Sequence, residues 1–381
     1  MSVQKICIIG DGLAGLSAAI ILSQEHVKID LYTGNNLKKL KTDDRTTAIS
    51  ENSFQFIKQK FNIKNQNIFW PCKEIKLFNE DKEIINNFLN FKEEKTNLMY
   101  IFQNKELKKK LSSQIKKKKN IKLIKKNITD IDYSDGSILL KKKKFFYDLI
   151  ILSTGSQSKL YNKITNRRSI EKSYKETALT AIVKHDSKIN KVNQFFLKEG
   201  PLAILPFNKN KFSIVWSVDS IFFQKNKSVI KKLLTDKIKF LLDNPKIKNM
   251  NKIQSFSINL NLKTKYYRNN ILILGDGLHA VHPMAGQGFN LVLRDIKKLG
   301  DLMRKELKIG LSLSNSFFLK DFYESRNPEN TILGLGIDLT NIFFKENKYF
   351  SPIKKVILNN ISSVKFIKKI SQIISDKGLT S

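Results

Sequence analysis

The sequence predicts a mixed α/β fold with α+β character, in which a parallel sheet is interleaved with an antiparallel sheet and followed by C-terminal helices. Three observations predict it: a strand, glycine turn and helix at the N-terminus; an aliphatic strand closed by an aspartate and glycines near residue 276; and alternating apolar patterns between about 170 and 260. The first two belong to a sheet buried on both faces, and the third to a sheet with one face turned to a pocket.

Lys5-Ile6-Cys7-Ile8-Ile9 reads as the first strand, Gly10-Asp11-Gly12-Leu13-Ala14-Gly15 as a G-x-G-x-x-G turn, and Leu16 to Ser23 as the helix. In such a turn Gly10 allows the tight bend, Gly12 lets the backbone approach a pyrophosphate, and Gly15 lets helix and strand pack closely. By itself the motif is shared with NAD enzymes and with ligand-free turns. Val27-Lys28-Ile29-Asp30-Leu31-Tyr32 is the second strand, and the position where an acid would hold a ribose is Thr33. Next come the Arg45 segment, a helix around Ser53 to Lys60, and strands near Lys73 to Phe78 and Ile84 to Phe91.

Residues 104 to 118 read as a helix, followed by short strands at Ile121 to Leu123, Ile128 to Tyr133 and Ser137 to Leu140, and a buried strand at 147 to 152. Phe212-Ser213-Ile214-Val215-Trp216-Ser217-Val218 typifies the alternating stretch, an antiparallel sheet expected to cover the ligand. Ile271-Leu272-Ile273-Leu274 is a second buried parallel strand, with Gly275 and Asp276 at its carboxyl edge, where open α/β sheets bind ligands. The turn continues through Pro283, Gly286, Gln287 and Gly288 into a helix opening at Phe289-Asn290, with Leu291, Leu293, Ile296, Leu299 and Leu302 on one face. Side chains are absent where backbone must come close to a ring, and the helix aims N–H groups and partial positive charge at it. That arrangement suits the anionic reduced form of a flavin.

Together these segments resemble the FAD-dependent aromatic hydroxylases of the p-hydroxybenzoate hydroxylase type, and within them the ubiquinone-biosynthesis hydroxylases. The resemblance covers most of the chain. Asp43 to Ser50 is similar to the segment whose arginine contacts the flavin, which makes Arg45 that residue here. Tyr100 to Asn104, with Leu107 and Leu111, is similar to the helix that follows the first substrate-domain strands. Gly200-Pro201-Leu202-Ala203-Ile204-Leu205-Pro206 and His282 to Asn290 carry the likeness to the quinone branch. The chain departs from the family at Thr154, where an aspartate is usual, and at Glu176, where a glutamine is usual, while Ser158 is retained.

The resemblance implies a Rossmann-like FAD-binding domain at 1–72, 96–168 and 256–310, an antiparallel-sheet substrate domain at 73–95 and 169–255, and a C-terminal helical region at 311–381. It also implies FAD as cofactor and NADH or NADPH as electron donor. The implied reaction hydroxylates the aromatic ring of a polyprenylated phenol with O2 through a flavin C4a-hydroperoxide. The flavin carries that chemistry, so no side-chain acid, base or nucleophile is named as catalytic. Two other readings remain: a flavin-dependent reductase of prenyl or quinone substrates, and a non-catalytic flavoprotein scaffold in a quinone-synthesis complex.

With 381 residues, 41% of them hydrophobic and 10% aromatic, the chain can bury a large core. Its net charge of +35, from 69 Lys+Arg against 34 Asp+Glu, attracts anionic surfaces. No helix-turn-helix, zinc-finger or RNA-binding pattern organises the lysines, so nucleic acid is excluded and an anionic membrane surface is the expected partner. Runs at Lys116 to Lys119 and Lys141 to Lys144 read as solvated loops or strand edges. Ser351 and Pro352 open a basic amphipathic helix with Ile353, Ile357, Ile361, Ile367 and Ile374 on one face, expected to pack on the core, with a membrane surface as the alternative.

Cys7, in the first strand, and Cys72, in an expected loop, make no disulfide framework, which fits a reducing cytoplasm. No apolar stretch approaches the ~18 residues of a membrane span, and residues 6 to 22 are explained by the glycine motif rather than by a signal sequence. The expected location is therefore cytoplasmic or peripheral on the inner membrane face. His279 and His282 lack the neighbouring ligands of a metal site, and His26 and His185 are expected at the surface.

Overall fold

The computed structural model describes residues 3–34, 43–63, 68–81, 83–140, 143–165, 169–283, 286–315 and 317–344. Met284, Ala285 and the amphipathic segment 351–381 lie outside the described residues.

Along the chain, β1 (Gln4–Ile9), α1 (Leu13–Leu22) and β2 (Val27–Tyr32) are followed by β3 (Thr46–Ser50) and α2 (Glu51–Lys60). Then come β4 (Trp70–Cys72), β5 (Glu74–Asp81), β6 (Ile84–Lys92), β7 (Met99–Gln103) and α3 (Asn104–Ile115). The return passes through β8 (Ile121–Ile124), β9 (Asp130–Asp132), β10 (Ser137–Leu140), β11 (Lys143–Phe146), β12 (Leu149–Leu152) and the single turn α4 (Asn162–Thr165). The long strand β13 (Ser169–His185) opens a run with β14 (Val192–Leu197), β15 (Gly200–Asn208) and β16 (Lys211–Asp219). Helices α5 (Ser220–Lys225) and α6 (Ile230–Leu241) precede β17 (Ile247–Met250), β18 (Gln254–Lys263), β19 (Tyr267–Arg268), β20 (Ile271–Ile273) and β21 (His279–Ala280). Two long helices, α7 (Gly288–Lys308) and α8 (Phe317–Phe344), complete the described chain.

Among the described residues the strands form four sheets. The first has the order β19-β20-β12-β1-β2-β8, with β1 parallel to both β2 and β12, and β12 parallel to β20. From β1 the chain moves one way to β2 and β8, then crosses to place β12 and β20 on the other side. The carboxyl end of β1 is thus the switch point where such sheets open a ligand crevice. Its central strands are mainly aliphatic because both faces are covered: Ile6, Ile8, Leu31, Leu149, Ile151 and Leu272 are all buried. Helix α1 is apolar on every side for the same reason, wedged against the sheet and α7, where a Cβ added at Gly300 would sit 3.0 Å from Ile21.

The largest sheet runs β21-β18-β13-β16-β15-β14-β5-β6, with β17 also paired to β13. One face carries Phe195, Leu202, Ile214 and Trp216 against Leu234 and Ile238 of α6. The opposite face turns toward β3, β4 and β7. Two expectations are corrected here. His185 is buried rather than at the surface, because β13 pairs with β17 at that point and lays its ring 5.1 Å from Phe212. Burial holds that imidazole below its ordinary pKa, which keeps it neutral. Cys72 lies in β4 rather than in a loop, its thiol donating to the Glu74 carbonyl at 3.0 Å.

Candidate functional site

At the carboxyl end of β1 the backbone makes the turn that the glycine spacing requires. Gly10 has φ +118°, and a Cβ there would lie 2.3 Å from the Ser153 carbonyl oxygen, so only glycine fits against β12. Its N–H donates to Tyr32 at 3.0 Å, while the Ser153 hydroxyl donates to the Ile9 carbonyl at 3.1 Å. Three strand ends are thereby tied together beneath the N-terminus of α1. The N–H of Leu16 donates to the Gly12 carbonyl at 3.0 Å, and the amides of the preceding first turn have no helical acceptor. At Gly12 an added Cβ would meet nothing within 4 Å, because the turn borders open space.

That space is a cavity of 1720 Å³. Gly10, Asp11, Gly12, Leu13, Ala14, Tyr32, Thr154 and Asp276 line one end; Arg45, Pro283, Gly286, Gln287, Gly288 and Phe289 line the middle. Ile75, Leu77, Phe91, Val192, Phe196, Ala203, Leu205 and Val215 form an apolar far wall, and Ile332, Leu333 and Ile337 of α8 form another. Pockets for one small ligand are usually on the order of 300–1,000 Å³, so this volume suits two partners.

A second helix N-terminus faces the middle of the cavity. Gly286, at φ +62° and with an added Cβ 2.9 Å from Ala48, turns the chain into α7. The amide side chain of Asn290 locks that turn, accepting from the Ser50 N–H at 3.0 Å and donating to the Gly286 carbonyl at 3.4 Å. Arg45 sits on β3's approach, gripping Asp43 through Nε at 2.8 Å and Nη2 at 2.9 Å, with its guanidinium 5.0 Å from the Phe256 ring. Burial alone would raise the Asp43 carboxyl, but this two-bond contact outweighs it and holds the pKa below the ordinary value.

The expected site residues therefore divide. Gly10, Gly12, Leu13, Ala14, Arg45, Asp276, Pro283, Gly286, Gln287, Gly288 and Phe289 line the cavity. Gly15, Gly275, Thr33 and Asn290 stand behind it: a Cβ on Gly15 would lie 2.0 Å from the Gly10 carbonyl oxygen, one on Gly275 would lie 2.7 Å from Ala14, and the Thr33 N–H extends the β2–β8 pairing to Ile124 at 3.0 Å. Thr154 turns its hydroxyl to Tyr161, donating at 3.0 Å, while burial pushes the Tyr161 phenol up to about 12.

Sequence reasoning missed a buried polar chain behind the clamp formed by Gly286 to Phe289 at the start of α7. His279 on β21 meets Asp295 of α7 at 2.6 Å. Asp295 also accepts from Arg326 Nε of α8 at 2.7 Å, and Arg326 pairs in turn with Glu329. His282 meets Glu176 of β13 at 2.9 Å, with Tyr174 edge-on at 5.3 Å. Both histidines are thus engaged by carboxylates, and among the described residues no group of three or more His, Cys, Asp or Glu is placed to hold a metal.

A model of the FAD binding domain matches residues 154–309, and the model of pyridine nucleotide-disulphide oxidoreductase matches residues 4–215. The Dictyostelium discoideum protein "Ubiquinone biosynthesis monooxygenase COQ6, mitochondrial" is 23% identical across 96% of this chain and 90% of its own length. The Escherichia coli K12 "3-demethoxyubiquinol 3-hydroxylase" is 25% identical over 40% of each chain. Among solved structures, p-nitrophenol 4-monooxygenase PnpA from Pseudomonas putida DLL-E4 superposes with TM-score 0.79 at 13% identity, covering 98% of this chain and 96% of that one. Klebsiella pneumoniae HpxO, solved with FAD and uric acid, gives 0.76 at 15%, covering 98% and 97%. These superpositions show a shared fold.

Proposed function

Because this chain belongs to the pyridine nucleotide-disulphide oxidoreductase family, whose model spans more than half its length, and is an FAD-dependent monooxygenase of the aromatic-hydroxylase type, we propose that it hydroxylates the ring of a polyprenylated phenol in ubiquinone biosynthesis. The observation that carries the reading is a cavity that is polar and rich in main-chain amides at one end and apolar at the other. The division into an FAD-binding domain (1–72, 96–168, 256–310), a substrate domain (73–95, 169–255) and a C-terminal helical region (311–381) is part of the proposal, its 255/256 boundary falling inside β18.

The residues present fit FAD. In this reading the amides of Gly12, Leu13 and Ala14 hold the pyrophosphate, Arg45 flanks the flavin, and the α7 N-terminus at Gly286 to Phe289 stabilises negative charge on its polar edge. Asn290, Gly15, Gly275 and Thr33 keep those groups in place. When bound, FAD takes electrons from NADH or NADPH and activates O2 toward the ring. The sheet wall from Ile75 to Val215 excludes water and holds the ring, and the α8 wall accepts apolar substrate beyond it.

The test is turnover: the purified chain with NAD(P)H, O2 and a prenylated phenol is expected to give a product heavier by one oxygen. NAD(P)H oxidation with the phenol recovered unchanged would defeat the proposal.

An anionic membrane surface is proposed as the source of substrate. Its supports are the net charge of +35 and the α8 face on which Ile332, which also lines the cavity, is 56% exposed and Leu339 is 65% exposed. No helix of the described residues is long and apolar enough to cross a membrane. Binding to anionic vesicles should fall steeply with salt and weaken further in Leu339→Asp; salt-independent binding, or none, would remove the membrane from this account. A quinone-synthesis complex, proposed as a further partner, would be detected by co-purification with neighbouring enzymes of the pathway and abandoned if none co-purifies.

A further inference from the structure

We propose that Gln194 orients the substrate, its side-chain amide hydrogen-bonding the ring oxygen of the phenol on an otherwise apolar wall. The inference rests on the phenol reading above and goes beyond it by naming the group that reads the ring.

Strand register carries the argument. Gln194 of β14 is paired with Leu77 of β5 on one side and Ala203 of β15 on the other, and Ala203 is paired with Val215 of β16. The row Leu77, Gln194, Ala203, Val215 therefore crosses four adjacent strands on one face, and all four residues line the cavity. Val192 and Phe196, two positions either side on β14, line it too, while Phe195 and Leu197 alternate into the core on the opposite face. With Ile75 and Leu205, every other cavity-lining residue that β5, β14, β15 and β16 contribute is apolar.

An amide in that position is costly unless something engages it. Gln194 is 8% exposed, and its Nε2 donates to the carbonyl of its own neighbour Phe195 at 3.4 Å, at the long limit of a hydrogen bond. Burying an amide among aliphatic side chains without good partners is unfavourable, and buried polar side chains normally have one. The amide offers two donors and an acceptor oxygen, so it can accept from a phenol hydroxyl or donate to a phenolate. One such group on a flat apolar wall fixes which edge of the ring faces the flavin without opposing entry of the prenyl chain.

The test uses the full-length holoprotein as wild type, Gln194→Leu and Gln194→Met. Two probes are titrated, a short-chain prenylated phenol and its deoxy analogue with hydrogen in place of the hydroxyl, and binding is read from the absorbance of bound flavin. The wild type is expected to prefer the phenol about tenfold, the worth of one hydrogen bond. Both variants should retain flavin, bind the deoxy analogue as the wild type does, and lose the preference. Undiminished preference in the variants, or equal binding of both probes by the wild type, overturns the assignment of Gln194 alone. A wild type whose flavin responds to neither probe overturns the phenol reading and the assignment with it. The wild-type comparison stands even if a variant fails to fold, and Gln194→Met, unbranched like glutamine, gives the second independent chance of a folded protein.

Discussion

Gly15→Ala is expected to abolish flavin retention and to lower stability by about 3 kcal/mol, the upper range for overpacking a closed interface. The added methyl would lie 2.0 Å from the Gly10 carbonyl oxygen and 2.5 Å from the Ser153 hydroxyl. Neither the Gly10 backbone nor β12 can retreat, since Gly10 is hydrogen-bonded to Tyr32 and the Ser153 N–H donates to Ile9 at 2.8 Å. Gly12→Ala is the contrasting case. Its backbone, at φ −69° and ψ 176°, accepts any residue, and its methyl would enter the cavity without touching protein. That variant should keep its stability within about 1 kcal/mol yet bind FAD about ten- to a hundredfold more weakly, the loss expected for charge-assisted bonds at the pyrophosphate. Denaturation midpoints and FAD titration of the two proteins check both statements; equal loss of stability would mean that the glycine turn serves packing alone.

The second large effect is expected behind the clamp. Asp295 has no exposed surface, and its carboxylate is shared by His279, Arg326 and Asn330 across β21, α7 and α8. Arg326→Met leaves that carboxylate buried without its strongest cation, and should cost about 3–5 kcal/mol. Flavin occupancy should fall with it, because His279 lies on the segment leading into the clamp. The pH dependence has a definite sign. Burial pushes the Asp295 carboxyl up, but attraction to Arg326 and His279 outweighs it and leaves the pKa below the ordinary carboxylate value. A depressed carboxylate stabilises the fold above its unfolded pKa of about 3.9 and loses that contribution as the pH falls through the lower, folded value. Wild-type stability should therefore drop below about pH 4 more steeply than that of Asp295→Asn. Urea titrations across that range test this, and parallel curves would show that the Asp295 carboxyl titrates alike in the folded and unfolded chain.

Much of this architecture is legible from local pattern. The aliphatic runs at 6–9 and 271–274 read as strands covered on both faces, and the glycines at 10, 12, 286 and 288 mark turns that border the cavity. Those features are contiguous in sequence and periodic, so they can be read directly. Asp295 and Arg326 lie 31 residues apart on different helices, each resembling an ordinary surface charge until α7 and α8 bring them together. His185 was expected outside for a related reason: its burial comes from β17, a short strand more than sixty residues later that sequence alone does not pair with β13. Gln194 occupies an alternating strand whose cavity face is set by register with β5 and β15, which no local window contains.

Turnover under isotopically labelled O2 decides whether this chain is a ring hydroxylase. With reduced nicotinamide and a prenylated phenol, one labelled oxygen should enter the aromatic ring of the product. A ring oxygen derived from water, or a reduced product with no added oxygen, would contradict that function.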